Sequence, residues 1–330
     1  MQKREIGRSG LFVNPIGLGC MGLSEFYGPA VSTADGVSLL HEAIARGVNH
    51  FDTAEMYGMG ANETLLGEAF HDRRDQVIIA TKWGPTRNRE TGEFTGVDGS
   101  EKNMRRAVEQ SLKLLRTDHI DLYYLHRVDL DTPIEETVGT MARLVEEGKV
   151  RALGLSEAGA ATLVKANKVH PIAALQSEYS IFSRDIEKTQ LPGVRETGAS
   201  LVAYSPLGRG MLTGAFTRDR KPGKGDFRSA RFQPRFAEGA YEANLDLVEE
   251  VKAVAGQIGA TPSQVALSWV LGRGDDIITI PGTTKLANLE ANLGALAVTL
   301  NADQLNRLNT LADKVAGARY PETRASNINA

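Results

Sequence analysis

Eight short apolar runs punctuate the chain, and most of them lead into a segment with helical spacing. The runs are Pro15–Gly19, Val48–Asp52, Val77–Lys82, Asp121–His126, Ala152–Ser156, Ala174–Glu178, Ser200–Tyr204 and Ile277–Pro281. Strands alternating with helices pair in parallel, because each crossover returns the chain to the same end of the sheet. Eight such units is the number that closes a cylinder, so the expected fold is α/β, a (β/α)8 TIM barrel. Ahead of the first run, Arg4–Ile6 and Leu11–Val13, joined through Arg8, Ser9 and Gly10, read as an N-terminal β-hairpin that plugs the bottom of the barrel.

Helices are expected over Pro133–Glu147, Ala161–Lys168, Asn244–Ile258 and Pro262–Leu271, and another around Ala107, Leu112 and Leu115. A further one follows Thr33 as N-cap, with Val37, Leu40, Ala43 and Ile44 on its apolar face. No stretch rich in Pro, Gly or Ser divides residues 1–330, which predicts one barrel domain. The segment from Gly208 to Gly239 breaks the rhythm; it is rich in arginine and glycine, and reads equally as a lid or a solvated excursion.

Charge excludes some partners. With 38 basic and 41 acidic residues the net charge is −3, which argues against a general nucleic-acid binder. Cys20 is the single cysteine, so an internal disulfide or a cysteine-based metal site is ruled out. A reducing compartment suits it. The first residues lack the apolar core of a signal peptide, and no apolar run approaches the roughly 20 residues that span a bilayer. The expected setting is cytoplasmic, without membrane or nucleic-acid partners; the oligomeric state stays open. The six histidines show no H-x-x-x-H or H-E-x-x-H spacing, so no metal site is expected.

Gly17-Leu18-Gly19-Cys20-Met21-Gly22 matches G-x-G-x-x-G letter for letter. A dinucleotide fingerprint must open directly into a helix, whose N-terminus holds the pyrophosphate. Here the next helix is expected only near Thr33, so the match reads as a tight loop at a strand end.

In a (β/α)8 barrel the active site lies at the C-terminal ends of the strands. The second run ends at Asp52, the third at Lys82 and the fourth at His126, and Tyr57 follows in the loop after Asp52. Each alone also reads as structure: a mouth ion pair, a satisfied histidine, a loop aromatic. Their coincidence at successive strand ends favours function. A free tyrosine has a pKa near 10, and an ammonium beside it would lower that value. Asp52 would hold the ammonium, and His126 would donate a hydrogen bond to a carbonyl oxygen. A proton donor without a nucleophile needs an external hydride for a reduction, which a nicotinamide would supply.

These residues resemble the aldo-keto reductase family. Phe51-Asp52-Thr53-Ala54-Glu55-Met56-Tyr57 is similar to its F-D-T-A-x-x-Y signature, and Gly60 through Gly67 to the G-x-N-E-x-x-L-G helix that follows. Leu125 to Asp129, Gly154 to Glu157, Tyr204 to Gly210 and Ile280 to Lys285 resemble later strand-end motifs, in order, over nearly the whole chain. The resemblance implies reduction of aldehydes or ketones with NADP(H). Asp52, Tyr57, Lys82 and His126 match the catalytic four, with Tyr57 as proton donor. Ser156 and Gln176 match the nicotinamide carboxamide positions, and Tyr204 the ring that stacks on nicotinamide. Ser205, Leu207, Gly208 and Gly210 match the pyrophosphate loop. Thr283, Thr284 and Lys285 match the 2′-phosphate pocket, and Asn288 and Asn292 the adenine side. Cys20 and Met21 fall where first-strand loop residues approach the cofactor. Glu157 stands where many members have asparagine, and Ala291 where many have glutamate.

Phe26, Tyr27 and Trp83 are candidate apolar walls for a small carbonyl substrate, beside His126, and residues 317–330 are a candidate cover for the pocket. Some relatives of this fold act as cofactor-binding regulatory or redox-sensing subunits with slow turnover, and that reading stands as the alternative to an enzyme.

Overall fold

The computed structural model describes residues 2–88, 90–223, 226–229, 232–321 and 328. A hairpin of β1 (Arg4–Glu5) and β2 (Phe12–Val13) opens the chain, followed by β3 (Leu18–Gly19), β4 (His50–Asp52) and β5 (Ile78–Trp83). A second hairpin, β6 (Pro85–Arg87) and β7 (Phe94–Val97), comes next. Then come β8 (Ile120–Leu125), β9 (Val150–Ser156), β10 (Ile172–Glu178), β11 (Ser200–Tyr204) and β12 (Ile277–Thr279).

Among the described residues eight strands form one parallel sheet in the order β12-β11-β10-β9-β8-β5-β4-β3. Parallel bridges Ile16 to Thr279 and Gly19 to Gly282 join its two edges, so the first and eighth strands close the barrel. A side chain at Gly19 would bring its Cβ to 2.7 Å from the Ile280 carbonyl oxygen, and glycine alone permits that closure.

Period-2 alternation sends each strand's residues to two separate cores. Ala80, Leu122, Tyr124, Ala152, Val202 and Ile278 meet inside the barrel. Ile79, Tyr123, Leu125 and Leu153 face the helices, in the larger apolar cluster. Ile6, Leu11 and Val13 of the N-terminal hairpin join the inner cluster. Gly7 N–H donates to Ser200 Oγ at 2.8 Å, at the start of β11, so the hairpin plugs the bottom as expected.

Local expectations needed small corrections. Ser32, not Thr33, caps the helix Thr33–Ala45, and its hydroxyl accepts from Asp35 N–H at 3.1 Å. Pro133 is the N-cap of Ile134–Glu146 rather than a first-turn residue. After Gly19 the chain enters a short 3-10 turn at Met21–Leu23, and the next α-helix begins at Thr33, which removes the dinucleotide-fingerprint reading. The β6–β7 hairpin has no counterpart in the sequence reading, because neither strand carries an apolar run.

In the Gly208–Gly239 segment, residues 224, 225, 230 and 231 lie outside the described residues. Its described part includes 3-10 turns at Gly208–Thr213 and Pro234–Phe236. Phe227 N–H donates to the Phe26 carbonyl at 2.9 Å and their rings stand 5.3 Å apart, so part of the segment lies against the loop after β3. Residues 322–327 and 329–330 of the C-terminal stretch also lie outside the described residues. Among the described residues no helix is long and apolar enough to cross a membrane.

Candidate active site

The four strand-end residues meet at the C-terminal mouth. Lys82 follows Ala80 by two positions on β5 and so points inward, where it pairs with Asp52 at the end of β4. Lys82 Nζ also donates to the Thr53 carbonyl at 2.7 Å and approaches Tyr57 Oη at 3.4 Å. The other Asp52 oxygen accepts from Gln176 Nε2 at 2.7 Å, which ties β4 to β10 across the barrel. The His126 ring stands edge-on to Tyr57, with centroids 5.9 Å apart. All four are buried.

Burial sets their protonation. It pushes the Tyr57 phenol well above its ordinary value; Asp52 adds to this and Arg127 opposes it. The sequence reading expected Lys82 to pull that phenol down. Burial, reinforced by Asp52, prevails and Tyr57 carries its proton. Burial lowers the Lys82 ammonium, against the Asp52 carboxylate that raises it. Burial, then Arg127 and Lys82, hold His126 well below the usual histidine range, so its ring is neutral at pH 7.

The expected cofactor residues lie on or after β3, β9, β10, β11 and β12. Ser156 and Gln176 are register partners on β9 and β10, a hydroxyl beside an amide. Tyr204 ends β11, and the turn beyond it holds left-handed backbone at Ser205 (φ 49°), Gly208 (φ 56°), Arg209 (φ 56°) and Gly210 (φ 94°). Leu207 is half-buried between them. Thr283 Oγ1 accepts from Lys285 N–H at 3.0 Å, and Lys285 is the exposed N-cap of the helix Leu286–Gly294. Thr284 and Asn288 are exposed there and Asn292 is buried. Cys20 is fully buried, with its N–H donating to the Asp52 carbonyl at 2.8 Å, and Met21 is half-buried beside it.

Glu157 and residues to which the sequence assigns no individual role complete the mouth, Arg319 and Tyr320 among them from the candidate cover. The Glu157 carboxylate accepts from Tyr204 Oη at 2.8 Å and from Arg319 Nη2 at 2.6 Å. Tyr320 Oη lies 3.0 Å from Tyr204 Oη and accepts from Arg209 Nη2 at 2.8 Å. Arg209 also pairs with the buried Glu178 at 2.8 Å. Burial works to raise the Glu157 carboxyl, but Arg319 and Arg127 outweigh it and hold it below the carboxylate range. The departure from asparagine therefore has a structural partner in the C-terminal segment. Arg127 lay inside a quoted motif, where its guanidinium reaches Ser156 Oγ at 3.2 Å.

The candidate walls divide. Phe26 stands 6.3 Å from the Tyr57 ring, edge-on. Tyr27 lies beneath the Arg228 guanidinium at 4.7 Å. Trp83 is not brought to the pocket. It follows inward-facing Lys82, so alternation turns it outward, and it is fully buried, stacked on Tyr123 with centroids 6.4 Å apart.

Comparison with known proteins agrees with this geometry. The model of the aldo/keto reductase family matches residues 15–313. A relative from Glycine max, described as a probable aldo-keto reductase 1, is 42% identical over 97% of this chain and 92% of its own. The glycerol dehydrogenase AKR11B4 from Gluconobacter oxydans superimposes with a TM-score of 0.86 at 29% identity, covering 95% of this chain and 96% of that one. The holo form of the aldo-keto reductase AKR11C1 from Bacillus halodurans gives a TM-score of 0.78 at 27% identity, over 98% and 99% of the two chains. The chain belongs to the aldo/keto reductase family, oxidoreductases acting on carbonyl compounds.

Proposed function

We propose that this protein reduces aldehydes or ketones to alcohols with NADPH, and that Tyr57 is the proton donor. The observation that carries this reading is the Tyr57 hydroxyl, 3.4 Å from a lysine that is itself locked to Asp52, in a site where burial keeps the phenol protonated. The residues at the mouth fit a nicotinamide dinucleotide. Ser156 and Gln176 offer a paired hydroxyl and amide for a carboxamide, and Tyr204 offers a ring face at the strand end. The left-handed turn with glycines at 208 and 210 lets a pyrophosphate approach backbone, and exposed Lys285 at a helix N-terminus suits a ribose phosphate. Glu157 does not fit an asparagine's role, because a carboxylate donates no hydrogen bond and its oxygens are already engaged.

When bound, the nicotinamide supplies the hydride to the carbonyl carbon. Tyr57 gives its proton to the carbonyl oxygen as that oxygen gains charge, and the neighbouring ammonium of Lys82 stabilises the phenolate left behind. Asp52 keeps Lys82 charged and aimed. Neutral His126 orients the carbonyl through an N–H. Phe26 forms an apolar wall against which the substrate packs. Following NADPH absorbance with excess substrate across aldehydes, ketones and sugars tests the reading. Many turnovers per protein support it; a single slow oxidation of bound NADPH would instead favour a cofactor-sensing subunit.

A further inference from the structure

Tyr57 opens a short 3-10 turn whose own bonds run from Tyr57 N–H to the Ala54 carbonyl at 3.0 Å and from Met59 N–H to the Met56 carbonyl at 3.3 Å. Gly58 and Met59, which follow it, adopt φ 56° and 52°, and the left-handed region is unfavourable for methionine. The backbone on either side of Tyr57 is tied to one ion pair. The Met56 carbonyl accepts from Arg87 Nη1 at 2.9 Å, and the Gly58 N–H donates to Glu25 Oε2 at 2.8 Å. Arg87 and Glu25 meet through two bonds of 2.9 and 2.7 Å, the bidentate fork that only arginine provides. Arg87 Nε is spent on the Gly92 carbonyl at 2.7 Å, which fixes the guanidinium to the β6–β7 hairpin. Glu25 lies in the loop after β3, Tyr57 in the loop after β4 and Arg87 in the hairpin after β5, so one pair joins three neighbouring loops.

We propose that Glu25 and Arg87 form a clamp that positions Tyr57 for proton transfer. Neither touches the reacting atoms; they are positioning residues, and the proposal rests on the reading of Tyr57 as donor. Their side chains are 25% and 13% exposed, so the surrounding loops shield the pair in part from solvent. Its effect lies in geometry, because misplacing a reacting group by about 1 Å costs on the order of 10²-fold in rate. Arg87→Lys keeps the charge but cannot bridge both Glu25 oxygens and the Met56 carbonyl at once.

The test is a double-mutant cycle of Arg87→Lys with Tyr57→Phe, read as kcat, KM for NADPH and the primary isotope effect with 4-deuterated NADPH. Arg87→Lys should lower kcat about 10- to 100-fold with KM for NADPH unchanged and a larger isotope effect. In the Tyr57→Phe background it should cost nothing further, since the positioned proton is gone. Hydrogen exchange at the peptide containing Gly58 should quicken in cofactor-free Arg87→Lys. The exchanged pair, Glu25→Arg with Arg87→Glu, restores the charges but offers each backbone group a partner of the wrong polarity, so kcat should stay low. Equal losses in both backgrounds, kcat within twofold of wild type for Arg87→Lys, or recovery of kcat in the exchanged pair would overturn the clamp. Wild-type kcat for Tyr57→Phe alone would overturn the donor reading, and the clamp with it.

Discussion

Asp52→Asn isolates the charge at the centre of the site. Lys82 is fully buried, and among the described residues Asp52 is the carboxylate that pairs with it; its other partners there, the Thr53 carbonyl and Tyr57 hydroxyl, are neutral. Removing one member of a buried pair costs about 3–5 kcal/mol. Asparagine keeps the shape and an acceptor oxygen, which puts the expected loss at about 3 kcal/mol near pH 6. The pH dependence has a defined sign. Burial already lowers the Lys82 ammonium, and the Asp52 carboxylate is the strongest influence raising it. Without that carboxylate the folded state releases the proton at lower pH, while the unfolded chain keeps it up to a pKa of about 10.4. The unfolded state then binds more protons, so stability rises with pH. The deficit of the variant relative to wild type should therefore be largest at low pH and shrink as pH rises toward the wild-type lysine value. Equilibrium urea unfolding, followed through the buried Trp83 and Trp269 at a series of pH values from 6 to 10, measures it. A deficit that stays constant across that range, or never exceeds about 1 kcal/mol, would mean that Asp52 does not sustain the buried Lys82 charge.

Other consequences are as definite. Lys285→Ala should weaken NADPH binding on the order of 10-fold or more and leave NADH binding nearly unchanged, by fluorescence titration; equal weakening of both would assign Lys285 to the fold. Arg319→Ala removes the cation that does most to hold the buried Glu157 carboxyl down. Wild-type Glu157 contributes stability above the unfolded carboxyl pKa and loses it as pH falls. In the variant burial dominates, so the melting-temperature deficit should be larger at pH 7.5 than at pH 4.5. For His126, whose pKa burial holds well below the usual range, kcat should show no inflection near pH 6.5; a histidine-like inflection abolished in His126→Gln would contradict a neutral ring.

The parts of the site that follow from strand period were legible in the sequence. Asp52 and Lys82 end apolar runs, and the alternation that faces Ala80 into the barrel also faces Lys82 inward. Trp83 was misassigned for the same reason, since the next residue on a strand faces the other way. The hairpin plug was legible because apolar Ile6, Leu11 and Val13 flank the Arg8-Ser9-Gly10 turn. Contacts between distant loops left no local trace. Glu25 and Arg87 carry no motif, and Arg319 reaches Glu157 from the far end of the chain. Glu157 was marked as a departure, but its partner could not be named from sequence. The direction of the Tyr57 shift was also beyond sequence, because it depends on how fully the ring is buried.

A single-turnover comparison of wild type with Tyr57→Phe shows whether Tyr57 delivers the proton. Both proteins are loaded with saturating NADPH, mixed with an aldehyde and followed by the loss of NADPH absorbance, with NADPH affinity measured separately by fluorescence quenching. Tyr57→Phe should keep its NADPH affinity and transfer hydride about 10²-fold or more slowly, because phenylalanine keeps the ring and removes only the transferable proton. A Tyr57→Phe rate equal to wild type, with affinity also unchanged, would mean that another group supplies the proton.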